Sequence, residues 1–200
     1  MTVAELRIIV VVYLSVIVPI IVLLTLKRRN QLPTSILKIY IYSFLICALG
    51  WELWFTYGWV SGDPVDMRRS EILNYFIPKN INWLMNALGD AGTVCLGGLL
   101  ITSKVLTKQH LFLEGWNWKV FLVLLIWCIG QNILVEMFLY YDQLAAGKSL
   151  SWAPLAPTGP WLNPVLFDFN DRTISLQSQI PWLLMAPILY KLSIYLHRKP

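Results

Sequence analysis

Apolar and polar positions alternate along this chain on the scale of whole segments. A run of Ile, Val and Leu from about Leu6 to Leu26 is followed at once by Lys27-Arg28-Arg29. Further apolar stretches cover 35–60, 80–106, 118–141 and 180–196. Each is close to the roughly 17–25 residues that carry a helix across a bilayer core. The pattern predicts an all-α, polytopic membrane helix bundle of about five transmembrane helices, making a single transmembrane domain over 1–200. Pro33, Pro78 and Pro181 lie at or near the expected helix starts, where proline is accommodated. Pro19 and Pro187 fall inside spans, which membrane helices tolerate. The first segment reads as a span and not as a signal peptide, because its apolar run is long and no small-residue cleavage site follows it.

The connections carry the orientation. Lys27, Arg28, Arg29, Lys38, Lys104, Lys108, Lys119, Lys191, Arg198 and Lys199 gather at one set of segment ends. Arg7, Arg68, Arg69, Lys79, Lys148 and Arg172 are at the other. The richer set is expected to be cytoplasmic, which places the N-terminus outside and the C-terminus inside a plasma membrane or endomembrane. Loops 61–79 and 142–179 then lie on the outer side. The second, with Trp152, Pro154, Pro157, Pro160 and Trp161, is expected to be an ordered cap at the interface, since a connection of that length is seldom slack.

Composition sharpens this picture. The chain is 57% hydrophobic and 14% charged, with a mean hydropathy of +0.60. Soluble domains carry about 25% charged residues. The net charge of +5 follows the segment ends, so it reads as topology and not as a nucleic-acid surface. Cys47, Cys95 and Cys128 all fall in apolar segments, an odd count with no CxxC pair, and read as small core residues. His110 and His197 stand near segment ends, so imidazole and thiolate ligands are not gathered at membrane depth. No metal and no cofactor are predicted.

The candidate chemistry rests on three carboxylates within apolar segments: Glu52, Asp90 and Glu136. A carboxylate at the centre of a spanning helix costs at least about 2.5–3.5 kcal/mol, so each is a functional candidate by default. In the third segment Asn82, Asn86 and Asp90 recur every four residues, which makes one polar helix face. Asn132, Glu136 and Tyr140 repeat the spacing in the fourth, with Gln131 adjacent. In the second, Glu52 and Thr56 share a face among Trp51, Trp54 and Tyr57. An acid with aromatic walls has the means to protonate an alkene or epoxide and to stabilise the cation that results. Glu52, Asp90 and Glu136 are therefore the predicted catalytic groups. Trp51, Trp54, Tyr57, Asn86, Asn132 and Tyr140 are the predicted substrate contacts.

The run from the first helix through Lys27-Arg28-Arg29 to Gly50-Trp51-Glu52-Leu53-Trp54-Phe55 resembles the start of the integral-membrane terpene cyclases of fungal meroterpenoid pathways. The resemblance covers about residues 10–60. It implies proton-initiated cyclisation or isomerisation of an isoprenoid, with Glu52 as the acid. That family has seven helices where five are predicted here, and it tends to have Tyr where this chain has Phe55. The Asn-x-x-x-Asn-x-x-x-Asp stripe also resembles the first motif of intramembrane aromatic prenyltransferases. Their second acidic motif has no counterpart here.

The function expected is catalysis on a lipid-soluble substrate. Two alternatives remain open: a non-catalytic subunit of a larger membrane complex, whose partners are other membrane subunits, and a proton or ion pathway. Five helices without an internal repeat suit a transporter poorly.

Overall fold

The structure, a computed structural model, describes residues 1–58, 64–106, 114–139, 161–170 and 172–198. Five helices among these are long and apolar enough to cross a membrane: Val3–Arg28, Thr34–Tyr57, Lys79–Val105, Trp118–Phe138 and Leu176–Arg198. The first is α1. The second is α2 (Thr34–Cys47), a π-helical turn (Ala48–Glu52) and α3 (Leu53–Tyr57) in one continuous rod. Two short helices follow in the connection to the third long helix, α4 (Val65–Arg68) and α5 (Glu71–Phe76). The third long helix is α6 (Lys79–Gly89), a second π turn (Asp90–Leu96) and α7 (Gly97–Val105). The fourth is α8 (Trp118–Phe138) and the fifth is α9 (Leu176–Arg198).

Local sequence explains the ends. Thr2 and Glu5 form a capping box at the start of α1: the Glu5 N–H donates to Thr2 Oγ1 at 3.1 Å, and the Thr2 N–H to Glu5 Oε2 at 2.6 Å. Glu5 Oε1 also accepts from Ser70, the cap of α5, at 2.6 Å, which fastens α1 to the connection between the second and third long helices. Asn117 caps α8 by accepting from the Lys119 N–H at 2.9 Å. The left-handed Gly58, at φ 63°, ends α3.

The all-α expectation needs one amendment. Between the fourth and fifth long helices, β1 (Val165–Phe169) and β2 (Arg172–Ser175) pair antiparallel. Asn170 takes the left-handed conformation that short hairpin loops favour. Ile174 and Ser175 of β2 are buried, and β2 packs on α8 and α9. The rest of the expected cap, 142–160, lies outside the described residues.

The core is shared by the second to fifth helices. Cys47, Ala87, Cys95, Leu124, Cys128 and Met185 are fully buried in one cluster, and the three cysteines are free thiols. The third helix is the axis of the bundle, and α1 packs on α5, α6 and the second π turn. Gly92 makes that approach possible: a Cβ there would stand 2.5 Å from Pro19 Cβ. On the other side, a Cβ at Gly98 would stand 2.6 Å from Trp127 Cδ1.

Candidate functional site

All five long helices contribute to one cavity of about 170 Å³. Its polar lining includes Glu52, Asn86, Asp90, Asn132 and Glu136, and its apolar walls include Val12, Phe55 and Val135. Trp51 and Trp182 also line it. The three carboxylates expected from the sequence therefore face one space. Glu52 is 3% exposed and Glu136 1%.

The two π turns do the positioning. Glu52 closes the first and Asp90 opens the second. A π turn carries one residue more than the α-helix it interrupts and is frequent at functional sites. Each is held by an indole from a neighbouring helix: Trp83 Nε1 donates to the Ala48 carbonyl at 2.9 Å, and Trp127 Nε1 to the Val94 carbonyl at 2.9 Å. The widened turns are thus tied to the surrounding packing.

The carboxylates have different surroundings. Asp90 Oδ2 accepts from Trp51 Nε1 at 2.9 Å. Glu136 accepts from Asn132 Nδ2 and Gln179 Nε2, both at 3.2 Å. Glu52 Oε2 and the Asn86 amide nitrogen make no hydrogen bond of normal geometry among the described residues, although the Asn86 side chain stands close enough to act on the Glu52 carboxyl. The charges of Asp90 and Arg68 act on Glu52. Between the corners, the Trp51 and Trp182 rings meet at 5.2 Å and 60°. Among the described residues, no three His, Cys, Asp or Glu side chains are close enough together to hold a metal ion.

A polar knot joins the ends of the second and third long helices. Arg68 lies over the Phe55 ring, 4.9 Å from its centroid, and donates to the Phe55 carbonyl. Arg69 donates to Asn74 Oδ1 at 2.7 Å, to Asn82 Oδ1 at 2.9 Å and to the Ile77 carbonyl. Burial pushes the Arg69 guanidinium down to about 10, with the Asp66 charge opposing, so it remains a cation at neutral pH. Lys79 bonds Asp66 at 2.8 Å and holds that carboxyl below its ordinary range.

Several expected substrate contacts are elsewhere. Trp54 does not line the cavity; it stands two positions from Glu52, on nearly the opposite helix face. Tyr57 donates to Asn80 Oδ1 at 2.8 Å, also off the cavity. Asn82, the first member of the polar stripe, serves the Arg69 knot. Tyr140 lies outside the described residues. Trp51, Asn86 and Asn132 are at the cavity.

Sequence reasoning missed Gln179 and Trp182. It started the fifth helix at 180, near Pro181. The helix begins at Leu176, where Asn163 Oδ1 accepts from the Gln177 N–H at 3.0 Å. The extra turn puts Ser178 and Trp182, four apart, on the inner face with Gln179 beside them. The polar run Gln177-Ser178-Gln179 directly before Pro181 was the available signal. No protein-family model, curated protein or solved structure matches this chain.

Proposed function

We propose that this chain is an integral-membrane enzyme that cyclises or isomerises a lipid-soluble, alkene-bearing substrate of the isoprenoid class by proton transfer. The observation that carries this reading is the one cavity that Glu52, Asp90 and Glu136 all line, between apolar and aromatic walls. A bundle that needed only to pack would not keep such a space, since interiors are close-packed. About 170 Å³ is comparable with an engineered cavity of about 150 Å³ that takes up benzene, so it suits the reacting end of a chain while the remainder lies in lipid.

Glu52 is the proton donor in this mechanism, because its Oε2 makes no hydrogen bond of normal geometry among the described residues. Its proton passes to an alkene carbon, or to an epoxide oxygen whose C–O bond then breaks, and leaves a carbocation. The faces of Trp51 and Trp182 stabilise that centre by cation–π attraction. An internal alkene attacks it to close a ring. Loss of a proton from the neighbouring carbon to Asp90 or Glu136 forms the new double bond.

The same proposal places the basic helix ends, including Arg28, Lys104, Lys119 and Arg198, on the cytoplasmic side. Protease access to a C-terminal tag in sealed vesicles tests that orientation. For the chemistry, the test is turnover of prenylated phenols and their terminal epoxides by protein reconstituted in liposomes. Glu52→Gln is expected to lower product formation by roughly 10²–10⁴-fold, the usual weight of a general acid. Folded Glu52→Gln protein with wild-type turnover, or wild-type protein inert toward the whole panel, overturns the reading.

A further inference from the structure

The last part of α9 runs on beyond the start of α8. Tyr190 fixes the level: its hydroxyl accepts from the Asn117 N–H at 3.1 Å and donates to the Gly115 carbonyl at 3.0 Å. From there α9 continues for about two more turns, to Arg198. Arg198 donates to the Glu114 carbonyl, so the segment before α8 is fastened to α9 at both levels. Between the two lies a groove lined by Gly115, Trp116, Lys191, Ile194, Tyr195 and Arg198. Lys191, Tyr195 and Arg198 stand at i, i+4 and i+7 and so share one helix face. Ser193 and Leu196, on the opposite face, are buried.

The groove joins two chemistries. It has two cations, and among the described residues no acidic side chain lines it. Lys191 makes no hydrogen bond or ion pair among the described residues, and Arg198 has further N–H donors beyond the one given to Glu114. The rest is aromatic and apolar. The Trp116 ring lies 4.9 Å from Tyr190, 4.9 Å from Phe121 and 5.5 Å from Trp118. Trp118 and Tyr195 are exposed, and exposed Trp and Tyr beside Lys and Arg at the end of a spanning helix belong to the headgroup level of a bilayer. A small soluble anion would use the cations alone. A lipid uses both halves, and an anionic one has no ammonium of its own to offset the attraction. We infer that this groove binds one anionic glycerophospholipid, with its phosphate against Lys191 and Arg198 and its glycerol and first acyl carbons against Trp116, Ile194 and Tyr195. The inference is independent of the enzyme reading, because the groove lies toward the opposite end of α9 from Ser178 and Trp182, which line the carboxylate cavity.

The test is native mass spectrometry of the protein in a neutral detergent, titrated with phosphatidylglycerol and with phosphatidylcholine. Both lipids carry a phosphate, but the choline ammonium cancels its charge in the second. One phosphatidylglycerol is expected to bind in preference. Lys191→Gln is expected to weaken that binding about fivefold, and Lys191→Gln with Arg198→Gln about 25-fold, the weight of one and of two cations beside an anionic lipid. Lys191→Arg is expected to keep the wild-type affinity. Lys191 is exposed, so its variants report on binding without disturbing the core. Lys27→Gln with Arg28→Gln removes as many cations from the end of α1, off the groove, and is expected to leave the affinity unchanged. Glycerol 3-phosphate, which has a phosphate and glycerol but no acyl chain, is expected not to displace the lipid at equal concentration. Equal retention of the two lipids, an equal loss in the α1 and groove variants, or displacement by glycerol 3-phosphate overturns the inference.

Discussion

The first and third long helices are nearly equal in length and opposite in character. α1 has the highest hydropathy of the five long helices among the described residues, yet only 11% of its most apolar window is buried, against 50% for Lys79–Val105. Leu14, Val18 and Ile21 point outward from α1, while the third helix buries Asn82 and brings Asp90 to the cavity. In a water-soluble protein the more apolar helix goes to the centre. Here hydropathy marks the outside and polarity marks the inside, as expected when the surroundings are hydrocarbon and buried polar groups find partners within the bundle.

Four changes, read as thermal or denaturant stability in detergent or lipid, sharpen this contrast. The largest effect is expected from Arg69→Ala, which strips Asn82, Asn74 and the Ile77 carbonyl of a charged donor at the start of the third helix. A loss of about 3–4 kcal/mol is expected, since buried groups left without partners cost about 1–3 kcal/mol each and these relax in part. Retention of wild-type stability would show that the knot is incidental. Next is Gly92→Ala, whose new Cβ meets the stiff Pro19 ring and is expected to cost about 1–3 kcal/mol. Two controls frame it. Gly130→Ala has open space around its Cβ and is expected to gain about 0.5–1 kcal/mol. Ile21→Ala on the outward face of α1 is expected to change stability by less than about 0.5 kcal/mol. If Ile21→Ala costs more than Gly92→Ala, the assignment of inside and outside is reversed.

The smallest effect concerns pH. The folded protein holds Asp66 below its ordinary value through Lys79, so the pair stabilises the fold fully above about pH 4 and loses that contribution as pH falls through the lowered value. Both side chains are about one-third exposed, 32% and 34%, so screening limits the contribution to a few tenths of a kcal/mol. Lys79→Met is expected to remove that part of the acid-side loss in a pH series of unfolding midpoints.

Much of the bundle was legible from one signal, the length of the apolar runs. That signal depends on hydropathy alone and survives local irregularity. The polar faces were legible at i, i+4 spacing, which put Asn86 with Asp90 and Asn132 with Glu136. The misses have specific causes. Trp54 was grouped with Glu52 by nearness in sequence, although two residues is more than half a helical turn. Trp182 was not singled out, because a helix starting at 180 leaves it in the first turn; the extra turn of α9 puts it opposite Asn132. The hairpin at 165–175 was hidden because two short strands give a weak periodic signal next to five long helices. The π turns leave no compositional trace, because their stabilising contacts come from Trp83 and Trp127 on other helices.

Those turns make the spacing of the chain matter more than its spelling at two places. Each holds a surplus residue, so loss of a single codon within 48–52 or 90–96 would let the rod revert to regular α-helix. Everything on one side of the deletion would then swing by about 100° relative to the other. Glu52 or Asp90 would be carried off the cavity with no functional side chain altered. Many substitutions at these turns leave that register intact, whereas an in-frame deletion does not, and a library of one-residue deletions scanned along the second and third helices should show its deepest losses there.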